Sequence, residues 1–181
     1  MTLQDLPARS FCLIRHGETT ANADHIIAGR TDVALTAQGR AQAAALAHRI
    51  WPDPIALFSS PMSRARDTCA LAFPGRDVTL HEGLRERDWG IFEGRSLDAP
   101  PARDATPEGG EGWAEMLARV SLTITRICAG SGAALPVLVC HSGIIRAARV
   151  LWTSGTVGAR PANAVPILFE RIGATFKEST L

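Results

Sequence analysis

The stretch Phe11-Cys12-Leu13-Ile14-Arg15-His16-Gly17-Glu18-Thr19-Thr20-Ala21-Asn22 decides how this chain is read. An apolar run that stops at a charged residue and a glycine reads as a buried strand of a parallel sheet ending in a turn. Ligands of open α/β sheets sit just beyond the carboxyl ends of such strands. Arg15 and His16 therefore lie where a bound group can be reached, the first suited to clamping an anion and the second to attacking it. Taken alone, the segment also fits an Arg–His pair that is merely packed or solvated.

Strand-like runs recur at Ile55 to Ser59, Val78 to Leu80, Leu135 to Cys140 and Pro166 to Arg171, with helical patterns between most of them. That alternation predicts an α/β sandwich. One helix is expected from Thr36 to about Ile50, capped by Thr36, with Leu35, Gly39, Ala43, Leu46 and Ile50 as its inward stripe and Pro52 and Pro54 ending it. A second starts with Pro61 at its first position and Ser60 as cap, which puts Arg64 in the first turn. A third runs from about Glu111 to Cys128, and a last one from Ser142 or Gly143 to Trp152. Asp98 to Gly110 and Thr153 to Val165 carry no regular pattern, and loops of that length in a compact domain are functional lids or disordered segments.

The 181 residues fit one domain, 1–181. Nineteen Lys plus Arg stand against eighteen Asp plus Glu, and the single lysine is Lys177, so no clustered basic surface for nucleic acid is expected. No stretch approaches the roughly 18 apolar residues of a spanning helix, and Met1 to Ser10 does not resemble a secretory signal. Cys12, Cys69, Cys128 and Cys140 fall in apolar runs without metal-ligand spacing and read as buried thiols of a reducing compartment, so the expected location is the cytoplasm.

Four further segments follow in order: Gly29-Arg30-x-Asp32-x-x-Leu35-Thr36-x-x-Gly39, Ser59-Ser60-Pro61-Met62-Ser63-Arg64-Ala65-Arg66-Asp67-Thr68, Leu84-Arg85-Glu86-Arg87-Asp88-Trp89-Gly90-Ile91-Phe92-Glu93-Gly94, and Val139-Cys140-His141-Ser142-Gly143. With the opening stretch, these make residues 11–149 resemble the histidine phosphatase superfamily, which includes the cofactor-dependent phosphoglycerate mutases. The resemblance implies a three-layer α/β/α sandwich with a mostly parallel central sheet. It also implies a proton-donating acid at the position of Glu86 and an asparagine near the phosphate at Asn22. Ala28 stands where a polar residue often precedes Gly29, so a contact from that turn falls to backbone. Gly112 stands where a serine is common.

The chemistry can also be argued from the residues. Displacement at phosphorus spreads charge over three oxygens, which the site must neutralise. Arg15, Arg64 and His141, at strand ends or the adjoining helical turn, can converge on such a group, and a helix opening at Ser142 adds free N–H groups and partial positive charge. Taken alone, Arg64 fits a surface ion pair with Asp67 better than a phosphate clamp. A neutral His16 is the candidate nucleophile, giving a phosphohistidine. Glu86 can protonate the leaving oxygen and later activate water, or it can be a surface acid balanced by Arg85 and Arg87; Glu18 and Glu93 compete for the role. His25, His48 and His81 are expected in structural or solvent roles. No metal and no cofactor is expected.

The resembled mutases use a tyrosine just after the acid and a later pair of adjacent arginines. This chain has no tyrosine, and offers only isolated Arg95, Arg103 and Arg119 between Gly94 and Ser121. Hydrolysis of a small phosphorylated metabolite is therefore favoured over mutase transfer. A phosphate-binding module without turnover is the remaining alternative, although such a module would lose His16 or Glu86.

Overall fold

A computed structural model describes residues 6–181. The elements in chain order are β1 (Phe11–Arg15), α1 (Thr20–Ala23), α2 (Ala37–Ala45), β2 (Ile55–Ser59), α3 (Ser63–Ala72), β3 (Thr79–Leu80), α4 (Trp113–Gly130), β4 (Leu135–Cys140), α5 (Ser142–Trp152), β5 (Pro166–Ile172) and β6 (Thr175–Thr180). All six strands form one sheet in the order β3-β2-β4-β1-β5-β6. The first four are mutually parallel, and β5 and β6 join antiparallel on the β1 side.

The alternation of side chains along the central strands builds the three layers. Phe11 and Leu13 of β1 and Leu138 and Cys140 of β4 face α4 and α5, meeting Met116, Val120, Ile124 and Ile144. Cys12, Ile14, Val137 and Val139 point the other way, onto Leu46 and onto Ala65, Cys69 and Ala72 of α3. β1 is buried along its whole length, as its apolar run requires. Phe11 stacks on Phe169 of β5 at 5.0 Å and meets Trp152 edge-on at 5.6 Å. Each such ring pair adds about 0.5–1.5 kcal/mol beyond the area it buries.

The structure corrects several boundaries. Helix α2 ends at Ala45 and one 3-10 turn follows, so Ile50 is 95% exposed rather than the end of an inward stripe. The Trp51 indole N–H donates to the carbonyl of Leu46 at 3.2 Å and its ring packs on Phe73, which turns the chain away early. Helix α3 begins at Ser63, not Pro61, because its cap comes from a distant segment. The Asp32 carboxylate accepts the Ser63 N–H at 3.1 Å and the Ser63 hydroxyl at 2.8 Å. Helix α4 runs from Trp113 to Gly130, with the Glu115 carboxylate accepting the Gly112 N–H at 2.8 Å. The expected strand at Val78 to Leu80 shrinks to two residues. Strand β6, unexpected from the sequence, returns along β5 after a turn at Gly173, whose φ of 59° suits glycine.

All four cysteines are buried free thiols, and burial pushes Cys12 up to about 12. His81 accepts the Gly83 N–H through Nδ1 at 3.1 Å, a structural role, and His48 is exposed. Among the described residues no helix is long and apolar enough to cross a membrane. The stretch read against a secretory signal lies partly outside those residues.

Candidate active site

The carboxyl ends of β1, β2 and β4 meet at one place. The parallel ladder continues one residue past each strand, through His16 N–H to the Cys140 carbonyl at 3.0 Å and Ser60 N–H to the Val139 carbonyl at 2.9 Å. Arg15, His16, Ser60 and His141 are thereby set side by side, and α5 starts directly after His141. A cavity of about 440 Å³ opens here, lined by Arg15, His16, Asn22, Glu86 and Ser142 among others. That volume suits a small-molecule site.

His16 is 5% exposed. Its Nδ1 lies 2.7 Å from the Gly17 carbonyl, an acceptor only, so Nδ1 carries the proton and Nε2 keeps a lone pair. Burial, then the charges of Arg64 and Arg15, hold the imidazole well below its usual 6.5, so it stays neutral. The turn after it packs against α2 so closely that a Cβ on Gly17 would strike the Gly39 carbonyl. Glycine is needed there for that reason.

Arg15 donates from Nη1 to the Pro161 carbonyl at 2.8 Å, and its buried Nε has no partner among the described residues. Burial and the nearby Arg160 pull it down to about 10, which still leaves it charged at neutral pH. Asn22 accepts the Thr19 N–H at 3.3 Å and the Asn163 side-chain amide at 3.2 Å through Oδ1, leaving its own NH₂ as the donor. Asn163 also donates to the His16 carbonyl at 2.8 Å. Sequence reading missed Asn163, which sits in a loop without a motif.

Arg64 is not the surface partner of Asp67. It is 1% exposed and stands behind His16 and His141 rather than in the cavity wall. Its Nε donates to His141 Nδ1 at 3.3 Å, Nη1 to the Thr31 carbonyl at 2.8 Å and Nη2 to the Gly29 carbonyl at 2.7 Å. His141 is fully buried, with Nε2 on the Ser60 hydroxyl at 2.8 Å and its ring centroid 5.2 Å from that of His16. Because Nδ1 accepts from Arg64, Nε2 carries the proton and donates to Ser60. Arg64 and His141 thus form a buried hydrogen-bonded pair beside His16, and the charge in that pair is Arg64's.

Glu86 faces the cavity. Its Oε2 accepts the Gly143 N–H at 2.9 Å, in the first turn of α5, and Oε1 accepts its neighbour's Arg87 N–H at 2.8 Å. Neither flanking arginine forms an ion pair with it, although the buried Arg87 guanidinium feels its charge. Arg85 pairs with Glu82, and Arg87 is fully buried, donating to the carbonyls of Arg103, Ala105 and Glu111 and lying 4.4 Å from the centroid of Trp89. Those bonds pin the segment 98–110 beside the cavity.

The competing acids are used elsewhere. Glu93 accepts the N–H groups of Gly29, Arg30, Thr31 and Trp89 and the Thr31 hydroxyl. Burial pushes its carboxyl up, but those hydrogen bonds outweigh it and hold the group below its usual range. Glu18 accepts the Thr36 hydroxyl at 2.8 Å, away from the cavity. Gly29 is likewise occupied, its N–H on Glu93 and its carbonyl on Arg64, so its backbone is not turned to a ligand, while the neighbouring Ala28 lines the cavity. Ser142 does line the cavity, at the start of α5. Among the described residues no group of three His, Cys, Asp or Glu is placed to hold a metal ion.

A mostly parallel sheet with a neutral histidine and Arg15 at the carboxyl ends of its central strands, and Arg64 buried behind them in α3, defines an α/β protein with a cationic crevice. The family model of the histidine phosphatase superfamily (branch 1) matches residues 11–164, and the chain belongs to that superfamily. It is 32% identical over 149 residues to the adenosylcobalamin/alpha-ribazole phosphatase of Salmonella typhimurium, covering 74% of each chain. It is 36% identical over 108 residues to a protein of Salmonella choleraesuis named as a probable phosphoglycerate mutase; that match covers 58% of this chain and only 47% of the relative. The crystal structure of TTHB049 from Thermus thermophilus superposes with a TM-score of 0.76 at 31% identity, covering 95% of this chain and 98% of the other. Relatives of this chain thus carry names of phosphatases and of mutases.

Proposed function

We propose that the protein hydrolyses a small phosphomonoester in two steps through a phosphohistidine on His16. The observation that carries this reading is the 2.7 Å contact of His16 Nδ1 with the Gly17 carbonyl, which assigns the proton to Nδ1 and leaves Nε2 its lone pair beside a cavity lined by Arg15 and Asn22. The phosphoryl group is held by the unpartnered Arg15 Nε, the Asn22 amide and the N-terminus of α5 at Ser142. His16 Nε2 forms a bond to phosphorus as the ester P–O bond breaks, and Glu86 gives the leaving oxygen its proton. Water then attacks the phosphohistidine, Glu86 takes a proton back, and the P–N bond breaks to release phosphate. Burial and the charges of Arg64 and Arg15 keep His16 neutral before attack. The scheme uses no metal, and turnover is expected to survive exhaustive chelation.

Rapid quench with a phosphorus-labelled substrate tests the scheme. The expected adduct survives alkali and is lost in acid. Label on serine or aspartate, or strict metal dependence, overturns it. Transfer of label to a second alcohol in preference to water would instead establish mutase-type chemistry, and labelling without turnover would leave a binding module.

A further inference from the structure

Three more arginines line the cavity that holds His16: Arg103 from the segment 98–110, Arg146 from α5, and Arg160 from the segment 153–165. Among the described residues, Glu86 is the only carboxylate in that lining. Elsewhere the protein pairs its arginines, as in Arg30 with Asp88, Arg119 with Glu111 and Arg149 with Glu178. Among the described residues none of the three forms an ion pair, although the charge of Glu86 reaches Arg103 and Arg146. Arg103 lies 5.8 Å from the centroid of Trp89 and 5.4 Å from that of Trp113. Arg146 donates to the Gly158 carbonyl at 3.2 Å, and its Nε is buried with no partner among the described residues. Arg160 is exposed at the rim.

Holding like charges together in a part-buried cavity costs stability unless an anion joins them. The mutual effect is visible in Arg146, which burial and then Arg103, Arg160 and Arg149 pull down to about 10. A phosphoryl group at His16 is already served by Arg15, Asn22 and the start of α5, so the other three arginines face what leaves. The wall beside them is apolar, made by Ile26, Ile27, Leu97, Pro100 and Pro101.

Resting on the placement of the phosphoryl group at His16, we infer that the substrate is a phosphomonoester whose leaving group bears a second anionic group, a carboxylate or another phosphate, bound by Arg103, Arg146 and Arg160. The short apolar wall suits a hydrocarbon spacer between the two anions. Specificity then lies in loop arginines scattered along the chain, far from the motif residues.

Titration calorimetry with propylphosphonate, 4-phosphonobutyrate and propane-1,3-bisphosphonate tests this without turnover. Either doubly anionic probe is expected to bind at least tenfold tighter than propylphosphonate, beyond the twofold statistical advantage of two equivalent ends, and the tighter of the two names the second anion. Arg103→Gln, Arg146→Gln and Arg160→Gln should each shrink that ratio severalfold. Arg160 is exposed, so its variant keeps the test open should the Arg146 change impair folding. Equal affinities, absence of binding by all three probes at millimolar concentration, or a ratio unchanged in every variant overturns the inference. A quench experiment without phosphohistidine would sink the hydrolytic scheme while leaving these affinities to be read on their own.

Discussion

The Glu86 carboxylate rests on the backbone N–H of Gly143, 2.9 Å away, so the candidate proton donor is positioned by the first turn of the helix that also presents Ser142 to the cavity. A Cβ at residue 143 would collide with Glu86 Oε1 and lie 2.8 Å from the Met116 methyl. Gly143→Ala is therefore expected to displace Glu86 and lower kcat on an alkyl phosphate by at least about tenfold. Alanine favours helix over glycine by about 1 kcal/mol, which offsets part of the clash. The expected signature is an activity loss larger than the shift in thermal midpoint, and wild-type kinetics would show that Glu86 needs no such seat.

Glu86→Gln removes the proton itself. Hydrolysis of an alkyl phosphate should slow by roughly 10²- to 10⁴-fold, the usual worth of general acid catalysis. An activated aryl phosphate, whose phenolate leaves unaided, should suffer less in the first step and accumulate phosphoenzyme, because water activation becomes limiting. Equal losses with no accumulation would move the proton to another donor.

Arg64→Ala tests action through the field. Losing a positive charge beside His16 raises its pKa, so the acid limb of the kcat/KM profile should move to higher pH, with an overall loss on the order of a hundredfold. The pH profile separates this from a purely structural loss, which would lower the curve without displacing its limb.

His16 and His141 are both buried and both held well below 6.5, by burial first and then chiefly by Arg64. Below pH 6.5 the unfolded chain binds protons that the folded chain refuses. Stability should thus be full above that value and fall as pH drops, by up to about 1.4 kcal/mol per pH unit for each histidine until its depressed folded value is reached. Urea midpoints from pH 7 to 5 should show the slope, and His141→Asn should lessen it.

Arg87→Lys should loosen the segment 98–110. A lysine cannot reach three carbonyls at once, and stranding them should cost about 2–4 kcal/mol. Faster amide exchange across that segment and a raised KM are expected, with the phosphohistidine still formed.

Much of this was legible because strand and helix ends carry local signals. β4 and α5 fall where the apolar run Leu135 to Cys140 and the start at Ser142 put them, and His16, Arg15, Glu86 and Asn22 do meet at one cavity. The start of α3 was not legible, since its cap is Asp32, thirty-one residues upstream. Strand β6 was missed because Thr175 to Thr180 is polar and half exposed, an edge strand with one buried aromatic, Phe176. Arg103, Arg146 and Arg160 look isolated in the sequence, and only the packing of two loops against α5 draws them together.

The strand that carries His16 has both its partners far downstream: Cys12 pairs with Val137 on one side and with Leu168 on the other. At about 5–20 residues made per second, β1 leaves the ribosome roughly 6 to 25 s before the strand it must lie against. Its apolar run waits unpaired for that time, and the crevice takes shape only when nearly the whole chain is out. A nascent chain stalled at residue 130 should therefore expose β1 to chaperones and proteases, and extension beyond residue 172 should close that window in one late event.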